Sequence, residues 1–263
     1  MSDLSKIDLG ATGPRISGSQ RGALWLEMKA LAWLAAPLAA TQLAQMLILA
    51  TDTLMLGHLS KEALAAATLG NQVFFMAWLV GLGPASAVPA MIAHVRGARE
   101  SDISGVRNVV RMGLWSVALL SAPLLLLLAF TRPILLLLGQ DPVLAEGGAV
   151  FMSTLMWGLP FSLAYQVLRN FSTAVEKPIM PLIVAALTVL FNALCDYVLI
   201  FGHFGFPRLE VWGSGLASAM ANFFSFLAML AFVLWQPMLR RYRVLHHWSR
   251  PHWAYLREVF QLG

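Results

Sequence analysis

The strongest constraint on this chain is a succession of six long apolar blocks, near residues 31–56, 64–93, 109–130, 149–169, 179–202 and 213–236. A helix needs about 20 residues to cross a bilayer core of roughly 30 Å, and each block supplies that length. None alternates polar and apolar residues as a barrel strand does, and within lipid an open strand would leave backbone groups unpaired. The blocks predict an all-α integral membrane protein, a six-transmembrane-helix bundle. Composition agrees: 59% of the 263 residues are hydrophobic and only 12% are charged, against about 25% in a soluble globular chain.

The Lys and Arg residues set an expected orientation. Four lie in the leading segment (Lys6, Arg15, Arg21, Lys29) and four between the second and third blocks (Arg96, Arg99, Arg107, Arg111). Arg169 and Lys177 lie between the fourth and fifth, and five follow the sixth, leaving Lys61, Arg132 and Arg208 for the opposite face. This asymmetry predicts a multi-pass plasma-membrane protein, in a bacterial inner membrane, with both ends of the chain cytoplasmic. The expected division is a cytoplasmic tail over 1–29 without the pattern of a signal peptide, a transmembrane lobe over 30–237, and a basic linker over 238–263. The closing "AYLREVFQLG" resembles the approach to another helix. Its make-up is close to "ALWLEMKALAWLAAP" before the first block, so an internal repeat and a missing seventh helix are expected. Within the second block, "GLGPASAVP" at 81–89 predicts a kink or a locally unwound turn. The apolar run after "TRP" at 131–133 either extends the third helix or forms an interfacial turn.

Several function classes find no carrier. The net charge of +5 sits in segments flanking the apolar blocks, so no nucleic-acid partner is expected. Cys195 is the single cysteine, which excludes an intrachain disulfide framework and a multi-cysteine metal site. His94, His203 and the pair His246–His247 stand at block edges with no metal-ligand spacing. No HExxH, Walker loop, nucleophile elbow or CxxC occurs, so no enzyme chemistry, catalytic residue, metal or cofactor is expected.

What remains is a small set of polar residues inside the blocks. The stretch "ILATDTLMLGHL" at 48–59 places Asp52 in an apolar run, where insertion of a charge near the bilayer centre costs about 2.5–3.5 kcal/mol. At 100° per residue, Thr41, Gln45 and Asp52 share a stripe of roughly 40°, and Thr188, Asn192 and Asp196 share one of roughly 80° on the fifth helix. If the two stripes face each other, they enclose a wet chamber in which paired acids can load and release H⁺. The same oxygens, with Asn192 and neighbouring hydroxyls, can hold Na⁺ or attract a cationic ligand. The competing reading leaves one or both acids hydrated at the membrane boundary. Asn71 and Gln72 on the second block are cavity-lining candidates or partners for neighbouring helices.

Five stretches, in order, resemble the multidrug and toxic compound extrusion (MATE) transporters: "LAAPLAATQLAQMLILATDTLMLGHLSKEALAAATLGNQ", "RGARESD", "LRNFSTAVEKPIMPLIV", "FNALCDYVLIFG" and "GSGLASAMAN". The resemblance covers nearly everything from about residue 30 onward. It implies one lobe of a twelve-helix, two-lobe transporter whose lobes are related by an axis along the membrane normal. It also implies export of drug-like, organic cationic compounds in exchange for H⁺ or Na⁺, with the lipid bilayer and a missing C-terminal lobe as partners. On this likeness Asp52 corresponds to the first-helix acid, and Asn192 and Asp196 to a fifth-helix pair. Ser218 stands where one branch often has threonine, and His94 departs from a common glutamine. The alternatives are a lipid-linked glycan flippase of the same superfamily and a truncated, non-transporting membrane protein. The helix interiors carry acids and almost no Lys or Arg, which disfavours an anionic pyrophosphate cargo.

Overall fold

The structure is a computed structural model that describes residues 18–98, 102–175 and 177–244, and among these residues there is no strand. The leading residues 1–17, Glu176, the His246–His247 pair and the closing "AYLREVFQLG" lie outside the described residues.

The apolar blocks become nine helices among the described residues: α1 (Gly18–Leu59), α2 (Lys61–Ala98), α3 (Ile103–Ala129), α4 (Thr131–Leu137), α5 (Pro142–Leu155), α6 (Leu159–Ala174), α7 (Ile179–Phe201), α8 (Glu210–Trp235) and α9 (Pro237–Arg240). Among the described residues, six stretches are long and apolar enough to span a membrane, the first being Ala35–Leu59 within α1, and α5 with α6 forming a single span over Pro142–Ala174. Bulky apolar side chains cover the outside: Leu137 is 88% exposed, Leu190 69% and Met46 66%. A water-soluble monomer rarely tolerates such a surface, and hydrocarbon is the medium that suits it.

Helix ends follow local chemistry. Asp102 caps α3 by accepting from the Gly105 N–H at 2.8 Å, and Asp141 caps α5 by accepting from the Val143 N–H at 2.8 Å. Gly202 ends α7 at φ +76°, a left-handed conformation that glycine adopts without a Cβ clash.

Five features differ from the expectation or refine it. α1 begins at Gly18, inside the expected tail, because "ALWLEMKALAW" is rich in good helix formers. α2 stays helical through Pro84 and Pro89, so the unwound turn does not form. Pro89 has no N–H for the carbonyl of Ala85, and Asn170 Nδ2 on α6 donates to that oxygen at 2.7 Å instead. The run after residue 131 is a separate short helix, α4. The fourth block breaks at a 3₁₀ turn over Met156–Gly158, where Pro160 cannot donate to the carbonyl one turn back. Arg111, placed with a loop by its position in the sequence, lies inside α3 and is buried.

The helices form one lobe in which α7 packs along α8 and α1, while α2 packs on α3, α5 and α6. The main core gathers Val88, Ile92, Met112, Leu163, Phe171 and Met229. Small residues allow the close crossings: a Cβ at Gly215 would run into the Phe151 carbonyl and Thr154 Oγ1 of α5. Beyond α8, Leu239, Tyr242 and Val244 are buried in the same core. The Tyr242 ring meets Phe171 edge-on at 5.4 Å, and Arg107 Nε donates to the Tyr242 carbonyl at 2.7 Å.

Candidate functional site

Helical periodicity aligns Asp52 on α1 with Asn192 and Asp196 on α7, and the α1–α7 packing brings the two stripes into contact. Asn192 Nδ2 donates to Asp52 Oδ1 at 2.5 Å and to Asp196 Oδ2 at 2.7 Å. One side-chain amide therefore joins two acids that lie 144 positions apart in sequence numbering, 52 to 196. From α8, Ser218 Oγ donates to the second oxygen of Asp52 at 3.1 Å. Asn192 and Asp196 are fully buried, and Asp52 is half-buried. The remaining oxygens, Asn192 Oδ1 and Asp196 Oδ1, are buried without a hydrogen-bond partner. Such acceptors are costly unless something positive meets them.

The cluster borders a cavity of about 320 Å³ between α1, α2, α6, α7 and α8. Asp52, Asn192 and Ser218 line it, as do Gln45, Thr188 and Asn71. Asp196 sits behind Asn192, outside the lining. Thr41 also stays outside: it is buried, and its hydroxyl donates to the Pro37 carbonyl of its own helix at 2.7 Å. Gln72 faces a different, apolar groove between α2 and α4. His94 is exposed, and His203 stacks on Tyr197 with ring centroids 4.2 Å apart.

Sequence reasoning missed the opposite wall. Tyr165 and Gln166 of α6, Asn222 and Ser225 of α8, and the aromatic residues Phe74 and Trp78 of α2 all line the cavity. A signal was available on α8, where Ser218, Asn222 and Ser225 recur at i, i+4 and i+7 and so share one face, but none of these side chains is an acid to draw attention to the stripe. Among the described residues, none that lines the cavity is Lys, Arg or His. The chamber is thus an acid-edged, amide- and hydroxyl-lined pocket with an aromatic side, suited to a positively charged occupant.

The MatE family model matches residues 37–198, and the chain belongs to that family. Among its relatives are two proteins named "Probable multidrug resistance protein NorM". The one from Brucella suis biovar 1 is 38% identical over 258 residues, covering 98% of this chain and 54% of the relative. The one from Mesorhizobium japonicum is 37% identical over 261 residues, covering 99% and 54%. The fold matches the eukaryotic MATE transporter AtDTX14 with a TM-score of 0.78 at 21% identity, over 90% of this chain and 51% of that one. It matches a MOP superfamily transporter from Pyrococcus furiosus with a TM-score of 0.74 at 22% identity, over 89% and 51%. The chain spans about half the length of the curated relatives and solved structures it matches.

Proposed function

We propose that this chain forms the amino-terminal lobe of a multidrug antiporter, in which H⁺ or Na⁺ bound at Asp52, Asn192 and Asp196 is exchanged for a drug-like organic cation. The observation that carries the reading is the Asn192 amide, shared by Asp52 beside it on the cavity wall and Asp196 behind it, in a cavity with no basic side chain among its described lining residues. Two carboxyl groups this close cannot both hold a negative charge in a low-dielectric bundle without a compensating cation. A cation entering from one side of the membrane would satisfy the acids and the free oxygens of Asn192 and Asp196. Ser218 would then release or retain its bond to Asp52, and α1 would reposition against α7 and α8. That movement reshapes the cavity and lowers its affinity for the competing organic cation. The names of the NorM relatives support a multidrug cargo. A second lobe, against which this one rocks, supplies alternating access.

The test is efflux of a cationic dye from vesicles bearing the transporter in two-lobe form, driven by an imposed H⁺ or Na⁺ gradient. Asp52→Asn and Asp196→Asn are each expected to lower gradient-driven efflux at least tenfold, as for removal of an essential charged ligand. Undiminished efflux in Asp52→Asn would overturn the scheme. The acid-edged cavity also argues against a lipid-linked pyrophosphate as cargo, since that group calls for basic partners.

A further inference from the structure

The stretch "LRNFSTAVEKP", 168–178, contributes nothing to the acid cluster, yet four consecutive residues in it each tie α6 to a different element. Arg169 Nη2 donates to Gln42 Oε1 of α1 at 2.7 Å, and Nη1 donates to Gln166 Oε1 at 3.2 Å. Asn170 satisfies the Ala85 carbonyl of α2, Phe171 packs on Tyr242 beyond α8, and Ser172 Oγ donates to the Lys177 carbonyl of the turn before α7 at 2.8 Å. The end of α6 is therefore a hub at the end of the lobe where the basic residues gather.

The four ties are not equivalent. Phe171 and Ser172 are fully buried, and Asn170 is half-buried, so those links are fixed parts of the lobe. The Arg169 bond ends on Gln42, an exposed residue of a helix that packs chiefly on α7. Its position is specific. The cavity runs along α1 from Asp52 to Gln45 and along α6 to Gln166. Arg169 and Gln42 lie on the next turn of each helix, about 15 Å from Asp52 at 1.5 Å per residue. They bridge α1 and α6 across the basic end of the cavity.

We propose that Arg169 is a positioning residue: its guanidinium latches α1 to α6 and closes the basic end of the cavity until the latch opens. The planar fork suits the role, because it holds Gln42 and Gln166 together and places a fixed positive charge where a cation would leak through. The latch depends on the cavity's geometry and not on what is exported, so it stands or falls separately from the antiport scheme.

The experiment measures access. The chain is expressed in bacterial membranes with Cys195→Ser and Ser225→Cys. Ser225 lines the cavity from α8 and belongs to neither latched helix. A membrane-impermeant maleimide is applied to right-side-out and to inverted vesicles. R169Q and Q42A are each expected to raise the modification rate about tenfold through one membrane face only, the population shift that follows loss of one charge-assisted hydrogen bond. R169K, with a charge but no fork, is expected to fall in between. Q42A alters an exposed position and carries the test if R169Q fails to insert. Unchanged rates, a rise in R169Q without one in Q42A, or an equal rise through both faces would each overturn the latch.

Discussion

Asn192 is the residue on which the candidate site turns. Both hydrogens of its amide are committed to acids, so Asn192→Ala would leave the buried Asp196 and the half-buried Asp52 without their shared donor. The expected cost is about 3 kcal/mol, the scale of stripping a partner from a buried charged group. It should appear as a lower unfolding midpoint in detergent. Adding Asp52→Asn should recover part of that loss, because it removes one acid and supplies a new amide. Failure of the double variant to recover any stability would show that the two acids do not share this donor. The triad was legible in the sequence because Asp52 and the Asn192–Asp196 pair each fall on a narrow polar stripe of an otherwise aliphatic helix. Ser218 came from family likeness alone. Thr41 lies on the same stripe as Asp52, yet its hydroxyl bonds back to Pro37, an outcome that a helical wheel does not distinguish from facing a cavity.

At the scale of the element, α2 shows how a helix carries two prolines without breaking. Asn170→Ala would leave the Ala85 carbonyl unpartnered and is expected to cost about 1–3 kcal/mol. Pro89→Ala returns a backbone N–H to the same oxygen. The two changes together should therefore destabilise less than the sum of the singles, measured as a double-mutant cycle on thermal unfolding. Strict additivity would rule out this account of the continuous helix. Local rules alone predict the break, since the compensating donor lies 85 positions away on another helix. The opposite error occurs at Pro160, where an apolar block that looks uniform divides into α5 and α6. There the freed carbonyl is met by a tighter 3₁₀ turn, and the run of apolar residues masks the change. Gly215→Val tests the α5–α8 crossing. Its side chain meets the Phe151 backbone, which cannot rotate away, so loss of folded protein on size-exclusion is expected.

On the scale of the whole molecule, the number of spans and the all-helical class follow from block length and hydrophobicity, because lipid leaves a long apolar segment few other choices. The interhelix arrangement does not, since every blocked-out helix is apolar on most faces. Orientation is open to a direct measurement. His58→Cys, exposed at the end of α1 next to Lys61, is expected to react with an impermeant thiol reagent from the periplasmic face only, in a Cys195→Ser background. Reaction from the cytoplasmic face alone would invert the topology. The segment after α8 carries a practical corollary for anyone excising this lobe. Tyr242 plugs against Phe171, so a chain cut after Trp235 would uncover an aromatic core residue, whereas a cut beyond Val244 would keep the plug in place. The shorter product should aggregate on extraction, and the domain boundary useful to an experimenter falls several residues past the last membrane-crossing helix.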